Sequence, residues 1–326
     1  MNKGKVVTTI GAILLTTGVI GGAYSGVVAF PKVMNNMQNA ESNLNKEEVL
    51  YKGQIHLTKL NINAKDSDVK IRKYDGQNVI VERSGDKTVS TITAKVNGNE
   101  LNITEEAINK NFGKDIDDMV KYLVNQMYLS HQSEITVYVP NDIEINVNTD
   151  YGMLNIYDSD INNLNFNTSS GRIALNENCH INNLNIKSDN FIQLQVRELY
   201  RLNNLNVECY SFGIYKQGTV SNKSSIPENI NIVTSGDFDN VVVDIDSNLP
   251  VAKNLKINSN GDVELNLPIQ DYKFNFDIKA LNGISFDSDN KDKFDKNNFN
   301  GVINENPKDN TSDYFVSIKG KSVIFE

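Results

Sequence analysis

From residue 145 onward the sequence repeats itself about every twenty residues, and no other feature restricts the possible folds as strongly. Asn-Asn-Leu-Asn occurs at 162–165, 182–185 and 203–206, followed each time by an apolar marker residue, Phe166, Ile186 or Val207. The same register takes in Val147 upstream and Ile232, Ile257 and Ile278 downstream, at spacings of 19, 20, 21, 25, 25 and 21 residues. A second apolar residue stands two positions before each marker, as in Ile145/Val147, Leu164/Phe166 and Leu184/Ile186. Period-two alternation of this kind marks a strand with one buried face. Glycines follow most markers after four or five residues (Gly152, Gly171, Gly236, Gly261, Gly283) and read as corners. Beyond three of them a second alternating pair begins: Leu154/Ile156, Ile173/Leu175 and Val263/Leu265.

Each unit is therefore strand, corner, strand, loop. Two short strands cannot bury an apolar face alone, whereas stacked parallel coils bury a continuous interior. Between the two apolar residues of each pair lies an outward position, occupied in turn by Asn146, Asn165, Asn185, Asn206 and Asn231. Stacked at about 4.8 Å, these amides are placed to form a hydrogen-bonded ladder. The only cysteines, Cys179 and Cys209, lie about two coil steps apart. That is about 9–10 Å, beyond the roughly 7 Å a disulfide tolerates between Cα atoms. Two free structural thiols are expected.

Upstream, Ile55/Leu57, Leu60/Ile62, Val69/Ile71, Val79/Val81, Ile92, Val96 and Leu101/Ile103 alternate less regularly, and Ile135/Val137/Val139 lead through Pro140 into the first clear unit. Between them, residues 104–132 space their apolar residues as a helix does, with Ile108, Phe112, Ile116, Met119, Val120 and Leu123 among them. A helical cover packed on the solenoid is expected there, the competing reading being a partner-binding or membrane-lying helix.

Residues 6–30 carry no charged side chain. As a helix they would run roughly 37 Å, enough to cross a hydrocarbon core of about 30 Å. Lys3 and Lys5 precede them, which sets the N-terminus in the cytoplasm and the rest outside. The segments expected are a cytoplasmic 1–5, a transmembrane anchor 6–30, a polar linker 31–50, and a repeat domain 51–326 carrying the helical insertion 104–132. A cleaved signal peptide ending near Ala23-Tyr24-Ser25 is the competing reading.

Chemistry is sparse. The 32 basic and 41 acidic residues give a net charge of -9, with no basic block to meet nucleic acid. No glycine loop is shaped for a nucleotide. The three histidines, His56, His131 and His180, accompany no nucleophile motif. Asp287, Asp289, Asp292 and Asp295 lack the turn glycine and closing glutamate of a calcium loop. Arg172, Arg197 and Arg201 lack the carboxylate column that a lyase-type β-helix would pair with them. Tyr151, Phe191 and Phe212 fall at similar corner positions, where an exposed aromatic row would favour a sugar ligand. No catalytic, cofactor-binding or metal-ligating residue is assigned, and no cofactor is expected.

The leading segment Leu60 to Val81, the strand Ile135 to Pro140, and units such as Phe166-Asn-Thr-Ser-Ser-Gly-Arg-Ile and Ile257-Asn-Ser-Asn-Gly-Asp-Val carry a family likeness. Over about residues 55 to 290 the chain resembles the bacterial putative-adhesin family of β-strand-repeat proteins, domain-of-unknown-function family 4097. The resemblance implies a secreted or membrane-anchored envelope protein, in some members tied to envelope-stress regulation, with no catalytic residues to transfer. The expectation is an all-β chain: a parallel β-solenoid, like a single-stranded β-helix, with one helical insertion, preceded by a transmembrane helix. Its expected role is a non-catalytic extracellular scaffold whose partner is a surface polysaccharide or an envelope protein, held to the bilayer through residues 6–30. A regulatory ectodomain and a carbohydrate-active enzyme are the alternatives.

Overall fold

The computed structural model describes residues 47–54, 56–74, 76, 78–85, 90–108, 133–140, 142–176, 178–215, 226–236, 241–244, 250–286, 297–304 and 309–325. The anchor at 6–30, most of the linker and most of the helical insertion lie outside them. Among the described residues no helix is long and apolar enough to cross a membrane. The chain divides into two compact units. The smaller comprises Met1–Glu48, Ser84–Thr91 and Ala107–Ser133, and its described residues are few, several of them strand ends. The larger comprises Val49–Arg83, Ile92–Glu106 and Glu134–Glu326, and holds the repeats.

In the larger unit the first strands of successive repeats are β8 (Glu144–Thr149), β10 (Asp160–Thr168), β12 (His180–Ser188), β14 (Leu202–Cys209), β16 (Asn229–Thr234) and β18 (Asn254–Ser259). They pair in parallel, each on the next, so that Val147, Phe166, Ile186, Val207, Ile232 and Ile257 form one inward column. These side chains are at most 2 % exposed. Register is fixed by that burial, because a one-residue slip would turn every apolar side chain outward. The second strands are β9 (Met153–Tyr157), β11 (Arg172–Leu175), β13 (Phe191–Gln195), β15 (Ser211–Tyr215), β17 (Val241–Asp244) and β19 (Val263–Asn266). Three of these, carrying Ile192/Leu194, Phe212/Ile214 and Val241/Val243, escape the sequence pattern because no glycine introduces the first two and the third begins five residues after Gly236 rather than two. A single turn of helix, α1 (Val196–Leu199), joins β13 to β14.

Both ends of the stack depart from chain order. The leading strands are β1 (Glu48–Gln54), β2 (Lys59–Asn63), β3 (Asp68–Lys73), β4 (Asn78–Ser84), β5 (Ser90–Asn97), β6 (Glu100–Ala107) and β7 (Glu134–Val139). β2 pairs β8 on one side and β6 on the other, while β3 lies between β7 and β9. The earliest coil is thus sandwiched between two later ones. At the other end β20 (Tyr272–Phe286), β21 (Asn298–Ile303) and β22 (Asp309–Phe325) follow. β22, the last strand in sequence, lies between β18 and β20 and runs on along β19. Ile278 therefore meets Ile318, which in turn meets Ile257, and does not stack directly on the previous marker as the repeat predicts.

Two further expectations are corrected. The helical insertion does not begin at Thr104, because β6 continues through Ala107. The cause is Glu105, 5 % exposed, whose carboxylate accepts hydrogen bonds from the Lys65 and Ser67 backbone N–H groups and the Ser67 hydroxyl at 2.7–3.2 Å. Gly283 is no corner either: it lies inside β20 at a register shift, with φ at 127°.

Candidate functional site

The outward face of the sheet running from β6 to β18 is carpeted with side-chain amides. In the central column Asn61 donates to Asn102, Asn146 to Asn61, Asn165 to Asn146, Asn185 to Asn165 and Asn206 to Asn185, at 2.7–3.0 Å. The expected ladder is present from Asn146 to Asn206, without the rung expected at Asn231, and extends two coils further upstream than the repeat alone indicates. Asn231 lies in register beyond Asn206, and Lys256 follows it. Two residues toward the strand start, Asn183 donates to Asn163, Asn204 to Asn183, Asn229 to Asn204 and Asn254 to Asn229, at 2.8–3.1 Å. Two residues the other way, Asn148 donates to Asn63 and Asn167 to Asn148, at 2.7 and 2.8 Å. Every one of these bonds points the same way, toward the β6 end of the sheet.

A groove of about 710 Å³ lies over this face, floored by Asn146, Asn165, Asn185 and Asn206 and edged by Lys187 and Glu208. Those two charges pair at 3.3 Å with side chains 63 % and 65 % exposed, so screening leaves the pair little stabilising value. At the upstream edge Lys59 and Glu144 pair at 2.9 Å. Their hydrogen bond holds Glu144 below and Lys59 above their ordinary pKa values.

Where the chain leaves this face, a buried hydroxyl turns four of the corners. Thr149, Thr168, Ser188 and Ser259 accept from the backbone N–H of Gly152, Gly171, Asn190 and Gly261 at 2.5–3.1 Å. The signal was available in the sequence, since each stands two residues past a marker. Cys209 holds the same position in its coil, with its Sγ 3.1 Å from the Ser211 carbonyl. Both cysteines are buried and neither is in a disulfide, as the coil spacing predicts. Burial pushes the Cys209 thiol up to about 12 and also raises that of Cys179. Since the thiolate is the reactive form, neither should react with a thiol reagent at pH 7 until the chain is unfolded. Rapid stoichiometric modification of the native protein would contradict this.

The other residues singled out in the sequence do not converge. His56 and His180 are exposed and lie apart in the fold, His56 in the connection from β1 to β2 and His180 at the start of β12, while His131 and the aspartates at 287, 289, 292 and 295 lie outside the described residues. Arg172 and Arg197 are exposed, and Arg201 binds the Leu175 carbonyl through its guanidinium. Glu198, which sequence reasoning missed, is buried and accepts from the Gln195 and Leu175 backbone N–H groups at 2.7 and 3.0 Å. Burial raises its pKa against those bonds. Tyr151 and Phe191 are 66 % and 44 % exposed, but Phe212 is fully buried in the core, so the expected aromatic row is broken at that position. Tyr210, 41 % exposed, lies two residues before it. Among the described residues no group of three or more His, Cys, Asp or Glu could hold a metal ion.

The parallel two-strand coils and their order agree with a match of residues 57–311 to the family model described as Toastrack DUF4097. The chain belongs to that Toastrack family. No curated protein matches the sequence. Three solved structures are similar to this Toastrack chain. A putative adhesin from Bacteroides fragilis is 9 % identical, with TM-score 0.36, over 87 % of this chain and 98 % of that one. A putative lipid binding protein from Parabacteroides distasonis is 12 % identical, with TM-score 0.43, over 86 % and 97 %. A putative cell adhesion protein from Clostridium sporogenes is 14 % identical, with TM-score 0.21, over 86 % and 97 %. Likeness at these levels transfers nothing to this chain. Its own surface offers a Toastrack domain with a regular polar lattice on one sheet face.

Proposed function

We propose that this Toastrack protein is a non-catalytic scaffold of the cell envelope, anchored through residues 6–30 with its repeats outside, and that its amide face takes a surface polysaccharide. The observation that carries the reading is the groove floored by the asparagine columns. Each rung in the column spends one N–H and one oxygen lone pair on its neighbours, and each amide has two of both. The remaining donors and acceptors recur about every 4.8 Å along a column and every 7 Å or so between columns. Sugar hydroxyls both donate and accept, so a polyhydroxylated chain lying in the groove can satisfy both kinds of site. The neutrality of the lattice favours such a ligand over a nucleic acid or nucleotide, which would need concentrated positive charge.

The test is binding of purified envelope polysaccharide to the full chain in detergent, comparing wild type with Asn185→Ala/Asn206→Ala. Two lost hydrogen bonds of about 1 kcal/mol each predict affinity weaker by roughly tenfold or more. Circular dichroism must show the same strand content in both proteins. Equal affinity in the two, or no binding by either, would refute the assignment.

A further inference from the structure

We propose that the place occupied by β22 is a strand-acceptor slot, and that the chain can take this strand from a second copy of itself. The slot is defined on both sides before β22 arrives. β18 offers residues Asn254–Asn258 and β19 offers Val263–Leu265 along one edge, and β20 offers nearly its whole length along the other. The strand that fills it follows all three of these neighbours in the chain. Its inward side chains Tyr314, Val316, Ile318, Val323 and Phe325 are 0–6 % exposed, so an empty slot would open the core from both sides. The contacts are specific as well as apolar. Tyr314 meets Tyr272 and Phe274 with ring centroids at 5.5 and 5.6 Å, and Phe325 meets Phe276 at 5.5 Å.

The connection to the slot makes exchange between copies feasible. Phe274–Lys279 of β20 pair with β21 and with β22 at once, so these two strands flank β20 on opposite sides. The chain leaving Ile303 must therefore cross two strand spacings, roughly 10 Å, before it can pair again. Nothing in the slot distinguishes residues 309–325 of the same chain from those of a neighbour, because main-chain pairing and the aromatic contacts are identical in either case. Closure within one chain is favoured by an effective concentration on the order of millimolar. A crowded surface, or a link too short to cross β20, shifts the balance toward exchange.

Disulfide trapping in the full chain tests this directly. Lys256 and Ser317 are outward partners in register on β18 and β22, at the spacing a disulfide accepts. One chain carries Lys256→Cys and a second carries Ser317→Cys. They are expressed together, oxidised and separated without reductant. The expected result is a covalent species of two 36.4 kDa chains. Its yield should rise several-fold when residues 305–312 are deleted from the Ser317→Cys chain, since the remaining link reaches only about 7 Å. A control chain carrying both substitutions must form the bond internally. If the control closes and the mixed pair gives no covalent dimer, with or without the deletion, the slot accepts only its own strand and the proposal fails. The outcome does not depend on any ligand of the amide face.

Discussion

Ile186→Asp is expected to destabilise the protein by about 3 kcal/mol or more, seen as an earlier midpoint in urea. Ile186 is 2 % exposed and lies between Phe166 and Val207 in the inward column. A carboxylate there has no partner, and both neighbouring coils feel it, because each coil is held by the ones above and below. Asn185→Asp, one residue away on the outward face, should cost much less, since its charge remains partly in water. Equal midpoints for Ile186→Asp and wild type would show that the strand register is wrong.

The second large effect is at a corner. A Cβ added to Gly152 would sit 2.1 Å from the Ser67 carbonyl oxygen and 2.9 Å from its carbon, both backbone atoms of the adjoining coil. Gly152→Ala must therefore push two coils apart, and a loss of about 3 kcal/mol is expected. The conformation of Gly152 does not require glycine; the proximity of the next coil does. Gly301→Ala is the control, because its nearest new contact is the Phe299 ring at 3.4 Å, an ordinary packing distance. Thermal unfolding of the two variants should separate them clearly, and similar melting temperatures would contradict the close approach at Gly152.

The repeat was legible because burial imposes period two on one face and stacking imposes about twenty residues between faces. Markers such as Phe166 and Ile257, and the asparagines between apolar pairs, needed nothing more. Chain order in space was not legible. Phe276/Ile278 and Val316/Ile318 carry the same alternation, so either pair suits the edge that Leu255/Ile257 present, and only the structure shows which one takes it. Glu105 was misread for a related reason. It continues the inward series of Leu101 and Ile103, but a carboxylate in that series reads as the end of a strand until its three donors on the neighbouring coil are known. The amide face was legible as a column and not as a lattice: Asn163, Asn183 and Asn204 stand in the repeated Asn-Asn-Leu-Asn itself and were passed over, while the Asn63 row and the upstream extension of the central column depend on pairings with β2 and β6 that lack the repeat's spacing.

The common direction of the amide bonds gives the face an electrical polarity. Amide dipoles set head to tail add, as peptide dipoles do along a helix, leaving partial positive charge at the N–H end of each row and partial negative charge at the oxygen end. The chain places ionised side chains accordingly. Glu144 lies in register at the N–H end of the row that begins with Asn163. Lys187 follows Asn167 at the oxygen end of another. Reversing one of these, as in Lys187→Glu, would put a negative charge against a negative row end, and the rows would then oppose their own termini where they now meet complementary charge.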